Sequence, residues 1–310
     1  MKNTPCKFNC TKILLLFLSL ITIGACEPKK PAIVFQSDFG LKDGAVSAMK
    51  GVSLEVDPDL SLHDLTHEIP AYNIWEAAYR LQQTALYWPK GTVFVSVVDP
   101  GVGTERRSVV LKTITGHYFV SPDNGSLTLV SELLGVESVR RIDEELNRRK
   151  NSGGSYTFHG RDVYAYTAAR LASGIISFEE VGELLASEPV RLNYQKPARQ
   201  GDSILGNIPI LDVQYGNVWT NIGDTLFNKL NIKAGDNLEV RIRKNDSLIY
   251  SGSMPFVATF GDVPEMNSLA YLNSLMSVSF ALNMGSFSDS LRVQSGPEWN
   301  VTLKKAKLGN

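Results

Sequence analysis

The chain has 310 residues, 31 basic and 32 acidic side chains, 43% hydrophobic content and three cysteines. This length and apolar content suffice for two ordinary cores of roughly 150 residues each, so two domains are expected. The near-neutral charge argues against a general nucleic-acid binder, and cysteines confined to Cys6, Cys10 and Cys26 exclude thiol catalysis and internal disulfides beyond that segment.

Lys2, Lys7 and Lys12 precede an apolar run from Ile13 to Ile23, which ends at Gly24-Ala25-Cys26. Residues 1–26 therefore read as a signal peptide, the apolar run being shorter than the roughly 20 residues a membrane span requires. Small residues before a cysteine resemble a bacterial lipoprotein processing site. Cys26 is expected to carry the lipid and anchor an exported protein in the periplasm or cell envelope. A secretory signal in which Cys26 is incidental is the plainer alternative. Cleavage removes three lysines and no acid, leaving acids in excess, and Glu27 to Pro31 reads as a tether.

Ala32-Ile-Val-Phe35 is a short apolar run ending at Ser37-Asp38-Phe39-Gly40, and a helix follows from near Asp43. The pattern recurs with a strand at Ser61 to Leu65, a helix from Asn73 to Tyr87 and a buried strand at Thr92 to Val98 that ends at Asp99. Alternation of this kind predicts an α/β domain over residues 32–192 with a largely parallel central sheet. Ligands collect at the carboxyl ends of such strands, where Asp38 and Asp99 both lie. Arg107 to Thr113 and His117 to Val120 predict a hairpin, Pro122-Asp-Asn-Gly125 a tight turn, and Gly160 to Ser173 a helix.

The segment from Asn193 to Gly201 is polar and contains proline, as a linker does. Beyond it come short alternating runs at Ile208 to Tyr215, Asn237 to Arg243, Ser247 to Ser251, Phe256 to Phe260, Leu269 to Leu272, Ser277 to Leu282 and Trp299 to Leu303. They predict a smaller C-terminal antiparallel β domain over residues 202–305.

Five segments occur in a fixed order: Ser37-Asp38-Phe39-Gly40, Asp99-Pro-Gly-Val-Gly, Pro122-Asp-Asn-Gly125, Phe158-His-Gly-Arg-Asp162, and Asp212 followed by Tyr215-Gly-Asn217. Together they resemble the S-adenosyl-L-methionine (SAM) hydroxide adenosyltransferases, SAM hydrolases related to fluorinase and chlorinase. The resemblance runs from about Ile33 to Gly285. It implies an N-terminal α/β domain, a C-terminal β domain, and a homotrimer with SAM held between subunits. SAM is then the substrate, giving adenosine and methionine, and no cofactor is implied.

The chemistry such a reaction needs matches these residues. A sulfonium leaves as a neutral thioether without a general acid, whereas water must lose a proton as the new C–O bond forms. The resemblance groups Asp99, Arg106 and His159 as the catalytic triad. Guanidinium stays protonated, so Arg106 stabilises hydroxide rather than acting as base, and His159 is the natural proton acceptor. Asp99 pairs with Arg106 and orients the water. Taken singly, Asp99 reads as a turn cap, Arg106 as a surface charge and His159 as a structural imidazole; the joint context favours function.

The same carry-over implies that Asp38 binds the ribose hydroxyls, although a helix cap is its alternative, and that Tyr72, Phe158 and Gly160 surround the ribose and adenosyl group. For Phe158 a core role competes. Asp212, Tyr215 and Asn217 are implied to bind the methionine ammonium and adenine, with Asn273, Ser274 and Asn283 helping at the two ends. Here the chain departs from the family: a usual glycine and glutamate are replaced by Met276 and Ser279.

His63, Asp64 and His67 do not predict a metal site, because on a strand a four-residue spacing does not bring both imidazoles together. Two other functions compete. A halogenase needs no proton acceptor, and the resemblance implies that halogenases carry an extra loop after the equivalent of Arg106, so an intact triad with a short connection to Pro122 favours water. A lipoprotein that captures SAM or adenosine without turnover fits the export signal, since SAM is made in the cytosol, but leaves the triad without a use.

Overall fold

The computed structural model describes residues 1, 2 and 30–306. The signal peptide and the lipid site at Cys26 fall outside the described residues. The chain separates into Met1–Lys30 and a compact unit Pro31–Asn310, and every helix and strand among the described residues belongs to the latter. Among the described residues no helix is long and apolar enough to cross a membrane.

The first half alternates as expected: β1 (Ile33–Ser37), α1 (Ala45–Val56), β2 (Leu62–Thr66), α2 (Ile74–Thr84), β3 (Val93–Val97), β4 (Ser108–Thr113), β5 (Tyr118–Pro122), α3 (Thr128–Leu134), β6 (Val136–Arg141) and α4 (Tyr166–Ala172). The six strands form one sheet in the order β2-β1-β3-β5-β4-β6. Strands β2, β1, β3 and β5 run parallel, and β4 runs antiparallel to both of its neighbours.

Every residue of β1 and β3 is buried, because helices cover both faces. The two-residue period of a strand sends Ile33, Phe35, Val93, Val95 and Val97 into one core with Val46, Met49 and Ala168 of the α1 and α4 side. The alternate residues Val34 and Phe94 enter a second core with Leu81, Leu127 and Val130 of the α2 and α3 side.

The second half folds as two antiparallel sheets. Its strands are β7 (Ala198–Gln200), β8 (Ser203–Asn207), β9 (Ile210–Asp212), β10 (Asn217–Gly223), β11 (Asn237–Lys244), β12 (Ser247–Pro255), β13 (Ser268–Leu272), β14 (Ser277–Leu282) and β15 (Trp299–Lys305). The order is β13-β14-β10-β9 in one sheet and β12-β11-β15-β8-β7 in the other. Val218, Val278 and Phe280 from the first sheet meet Val240, Ile242, Val301 and Leu303 from the second in a shared core.

The two halves are packed together. The Trp75 indole N–H donates to the Pro209 carbonyl at 2.8 Å, and Trp75, Tyr79 and Leu129 form one apolar cluster with Ile210, Tyr194 and Trp219.

Three sequence expectations need correction. The run from Ile208 to Tyr215 is strand only over Ile210–Asp212, because the Tyr215 and Gly216 amides turn back onto the Asp212 carbonyl. Phe256 to Phe260 is not a strand: Phe256 makes a single bridge to Ala270, and Thr259 and Asp262 close a capping box around a short 3-10 turn. The linker contains β7, paired with β8. Strand β6 has no clear sequence signal, because it is a charge-bearing strand at the sheet edge with five of its six residues at least partly exposed.

Candidate active site

Asp99 follows β3, at the carboxyl end of the sheet. Asn124 of the Pro122-Asp-Asn-Gly125 turn donates to the Val98 carbonyl at 2.9 Å, pinning that strand end. The chain then folds back on itself, with the Val102 amide bonded to the Asp99 carbonyl and the Thr104 amide to Gly101. The fold-back returns Arg106 to Asp99.

His159 comes from a separate segment, immediately before a π-helical turn over Gly160–Ala165 that continues into α4. Single π turns of this kind recur at functional sites, because they re-aim the side chains that precede them. Gly160 is required there by space: a Cβ would sit 3.0 Å from Val97 Cγ1 and 3.3 Å from Met49 Sδ.

These segments bring all three triad candidates into contact. Arg106 Nε donates to Asp99 Oδ1 at 2.9 Å and Nη2 to Asp99 Oδ2 at 2.6 Å, a bidentate pair. Nη2 also lies 2.8 Å from His159 Nδ1, and Nη1 donates to Ser108 Oγ at 2.9 Å. The Tyr164 hydroxyl donates to Asp99 Oδ2 at 3.3 Å. Burial, above all, pushes that phenol far up, so it remains a neutral donor.

Four further residues that the sequence reading did not single out complete the cluster. Ser108 Oγ donates to Glu144 Oε1 at 2.8 Å, and Arg148 Nη2 donates to Glu144 Oε2 at 2.8 Å. Arg148 Nη2 also lies 3.1 Å from His159 Nε2. The fourth is Tyr164, which sits edge-on to the His159 ring and under the Arg106 guanidinium. The available signal was the four-residue spacing of Glu144 and Arg148, which suits an ion pair. It lay hidden in the charge-rich stretch Asp143 to Lys150.

His159 is thus buried between two guanidinium groups. Burial is the main influence holding its pKa below the usual 6.5; Arg106 and Arg148 add to the effect, and Glu144 and Asp99 oppose it. The imidazole is therefore neutral at pH 7. Burial pushes the Glu144 carboxyl up, but Ser108, His159 and Arg148 together outweigh it and hold the group below its usual range.

A cleft of about 280 Å³ opens in front of the cluster, lined by Asp38, Tyr72, Asp99, Phe158, His159 and Gly160 among others. Asp38 does not cap a helix: its Oδ2 accepts from the Tyr72 amide at 2.8 Å, while Asp43 serves the start of α1. Tyr72 has a left-handed backbone, φ 67°, and an exposed ring at this cleft. Phe158 packs edge-on against Phe39 and beneath Arg161, so it joins the core and lines the cleft at once. Arg106 lies behind this cleft and reaches it only through Asp99 and His159.

The C-terminal candidates form a separate group. Asp212, Tyr215, Asn217, Asn273, Ser274 and Asn283 all line one cleft of about 820 Å³ in the β half. Gly216 is fixed there by φ 68° and by Ser286, whose Oγ would meet a Cβ at 2.0 Å. Asn217 donates to Asp212 Oδ2 at 3.2 Å. Asn273 Oδ1 accepts from the Leu275 and Ser277 amides, while its buried Nδ2 has no protein partner. Asn283 donates to the Val263 carbonyl. Met276 occupies a left-handed position, φ 57°, in the same turn.

His67 is a buried structural link, 2.7 Å from Ser37 Oγ and 3.0 Å from Asp64, whose carboxylate also binds Lys50. Ser37 is itself fully buried, so this Ser-His-Asp chain ties β1 to β2.

An α/β sheet with a buried Asp-Arg-His cluster at its strand ends, joined to a β half with its own polar cleft, defines an α/β-β protein shaped to hold a small molecule. More specifically, the chain belongs to the SAM hydroxide adenosyltransferase family, whose N-terminal domain model matches residues 33–182 and whose C-terminal domain model matches residues 206–300. It is 39% identical over 207 residues to the (R)-S-adenosyl-L-methionine hydrolase of Methanocaldococcus jannaschii, covering 66% of this chain and 74% of that one. The hydrolase of that name from Thermus thermophilus is 34% identical over 269 residues, covering 85% and 96%. A fluorinase from Nocardia brasiliensis is 30% identical over 294 residues, covering 86% and 95%. A solved structure of an uncharacterized conserved protein from Thermotoga maritima superposes with a TM-score of 0.78 at 37% identity, covering 88% of this chain and 99% of that one.

Proposed function

We propose that this protein is a SAM hydrolase, displacing methionine from the ribose C5′ with a water-derived nucleophile to give adenosine and L-methionine. The observation that carries the reading is the contact of Asp99, Arg106 and His159 at the wall of a cleft that also holds Asp38. Water differs from a halide in having to shed a proton. A neutral imidazole beside a carboxylate supplies an acceptor for it. Arg106 acts through its two neighbours, fixing Asp99 and keeping His159 deprotonated before the reaction.

Asp38 can receive the ribose hydroxyls because a carboxylate oxygen accepts more than one hydrogen bond, so its contact with Tyr72 leaves capacity. Tyr72, Phe158 and Gly160 then wall the ribose. Asp212, Tyr215, Asn217, Asn273, Ser274 and Asn283 hold the adenine and methionine ends, and the unpartnered Asn273 Nδ2 supports this assignment. Asp99 and His159 of the triad and the C-terminal group line different clefts. That division supports a homotrimer in which residues 32–192 of one subunit face residues 202–305 of the next. No cofactor is needed. Residues 1–26 are read as an export signal with Cys26 as the lipid anchor, so the substrate would be SAM, or a related adenosyl sulfonium, met outside the cytosol.

The experiment is turnover of SAM by the domain from Pro31 onward in oxygen-18 water, with and without chloride, read by mass spectrometry. Labelled adenosine is expected. Chlorodeoxyadenosine would make the protein a halogenase, and tight binding with no product would make it a capture protein.

A further inference from the structure

Behind the triad lies a second cavity, of about 550 Å³, lined by Arg106, Ser108, Glu144, Tyr156 and His159 among others. His159 is the one residue common to the linings of this cavity and of the cleft that holds Asp38 and Asp99. Its imidazole is therefore the partition between them. Nδ1 is turned to Arg106, which grips Asp99, and Nε2 is turned to Arg148 at 3.1 Å and Glu144 Oε2 at 4.0 Å.

Resting on the SAM hydrolase reading, the structure assigns the rear cavity as the proton exit of the reaction, with Glu144 as the positioning carboxylate that lets His159 take and pass on the proton. As the C5′–O bond forms and the C5′–S bond breaks, one O–H bond of the attacking water breaks and its proton goes to Nδ1, whose lone pair the Arg106 Nη2 hydrogen bond gives up as Arg106 stays held by Asp99. The Nε2 proton leaves by way of solvent entering the rear cavity, toward Glu144 Oε2 4.0 Å away, which restores a neutral imidazole. Methionine departs with the electron pair of the C–S bond, so charge and protons balance.

The need for Glu144 follows from the charges that face the ring. Arg106 and Arg148 both oppose an imidazolium, Asp99 and Glu144 both favour one, and Tyr164 and Tyr156 contribute ring edges. Asp99 is already claimed by the bidentate Arg106, so Glu144 is the carboxylate left to balance Arg148. It is held for that task by Ser108 on one oxygen and Arg148 on the other. Its side chain is 32% exposed, which lets it exchange protons with solvent. Glu144 touches no reacting atom, so it works through His159.

The test compares Glu144→Gln, Glu144→Asp and Arg148→Gln with the parent protein, measuring kcat, KM and the pH dependence of kcat/KM for SAM. Glu144→Gln is expected to lower kcat at least tenfold with KM within about threefold, a loss of roughly 1.4 kcal/mol in the chemical step. It should also move the acid limb to lower pH, because a carboxylate that favoured imidazolium is gone. Arg148→Gln should move the limb the opposite way, and Glu144→Asp should recover part of the lost kcat. A purely structural role would not produce shifts of opposite sign. Unchanged kcat in Glu144→Gln, or both limbs moving together, would overturn the inference. Should Glu144→Gln fail to fold, the Arg148→Gln and Glu144→Asp results still decide. If the parent protein does not hydrolyse SAM, the function reading has failed instead, and titration of the His159 ring by NMR in the same variants tests the electrostatic pairing separately.

Discussion

His159 has guanidinium nitrogens 2.8 and 3.1 Å from its two ring nitrogens; an imidazolium would set N–H against N–H on both sides, whereas a neutral imidazole accepts from one of the two, so the neutral form is favoured. The pH consequence has a definite sign. Because the folded pKa lies below the ordinary 6.5, lowering the pH past 6.5 protonates this group in the unfolded chain before the folded one. Its contribution to stability is complete above that value and is lost as pH falls through the folded pKa. Activity that depends on neutral His159 should therefore persist below pH 6.5, with the acid limb of kcat/KM displaced to lower pH than an exposed histidine would give. The measurement is a pH-rate profile beside chemical denaturation of the parent protein and His159→Gln. The substitution should remove nearly all turnover and flatten the loss of stability just below pH 6.5. A limb at or above 6.5 would mean that the imidazole carries no such burden.

At the scale of elements, the triad depends on how two backbone devices end. One is the fold-back between Asp99 and Arg106, steadied by Asn124 on the Val98 carbonyl. The other is the π turn after His159. Gly160 lies against β3 and α1 there, and a methyl would press on Val97, Met49 and Phe39. Overpacking of this kind costs about 1–3 kcal/mol, relieved by small shifts of those side chains or of the turn that aims His159. Gly160→Ala is expected to lower kcat by more than its loss of stability explains, with the melting temperature and single-turnover rate measured together. Equal losses in both would show that the turn is scaffolding alone.

These devices also explain what could be read from the chain. Asp99, Arg106 and Asn124 sit in glycine-bearing loops after the buried strands β3 and β5, and His159 stands beside Gly160 at the start of an apolar helical run, where a polar residue stands out against its neighbours. Glu144 and Arg148 sit among Asp143, Glu145, Arg149 and Lys150, where charge is unremarkable, and only their three-dimensional return to Ser108 and His159 distinguishes them. The parallel sheet was legible because β1 and β3 are apolar on both faces. The edge strand β6 and the turn at Gly216 were not, since one looks like surface and the other interrupts a continuous apolar run.

For the whole molecule, the decisive feature is that Asp99 and His159 line one cleft and Asp212, Asn217 and Asn273 line another. If SAM bridges the α/β half of one subunit and the β half of the next, neither His159→Ala nor Asp212→Ala removes both parts of a site. Each variant alone should be inactive or severely weakened, because every interface then lacks one part. Mixed subunits should behave differently. A site is intact when its α/β half comes from Asp212→Ala and its β half from His159→Ala, and random assembly of equal amounts makes this true of about one interface in four in any closed ring. Co-expression of the two variants should therefore restore about a quarter of the parent rate per site. Separately purified variants mixed without subunit exchange should restore none. A chain that carries its own complete site gives no recovery in either case, since each molecule keeps its defect, and this outcome would remove the shared-site trimer while leaving the hydrolytic chemistry of Asp99, Arg106 and His159 intact.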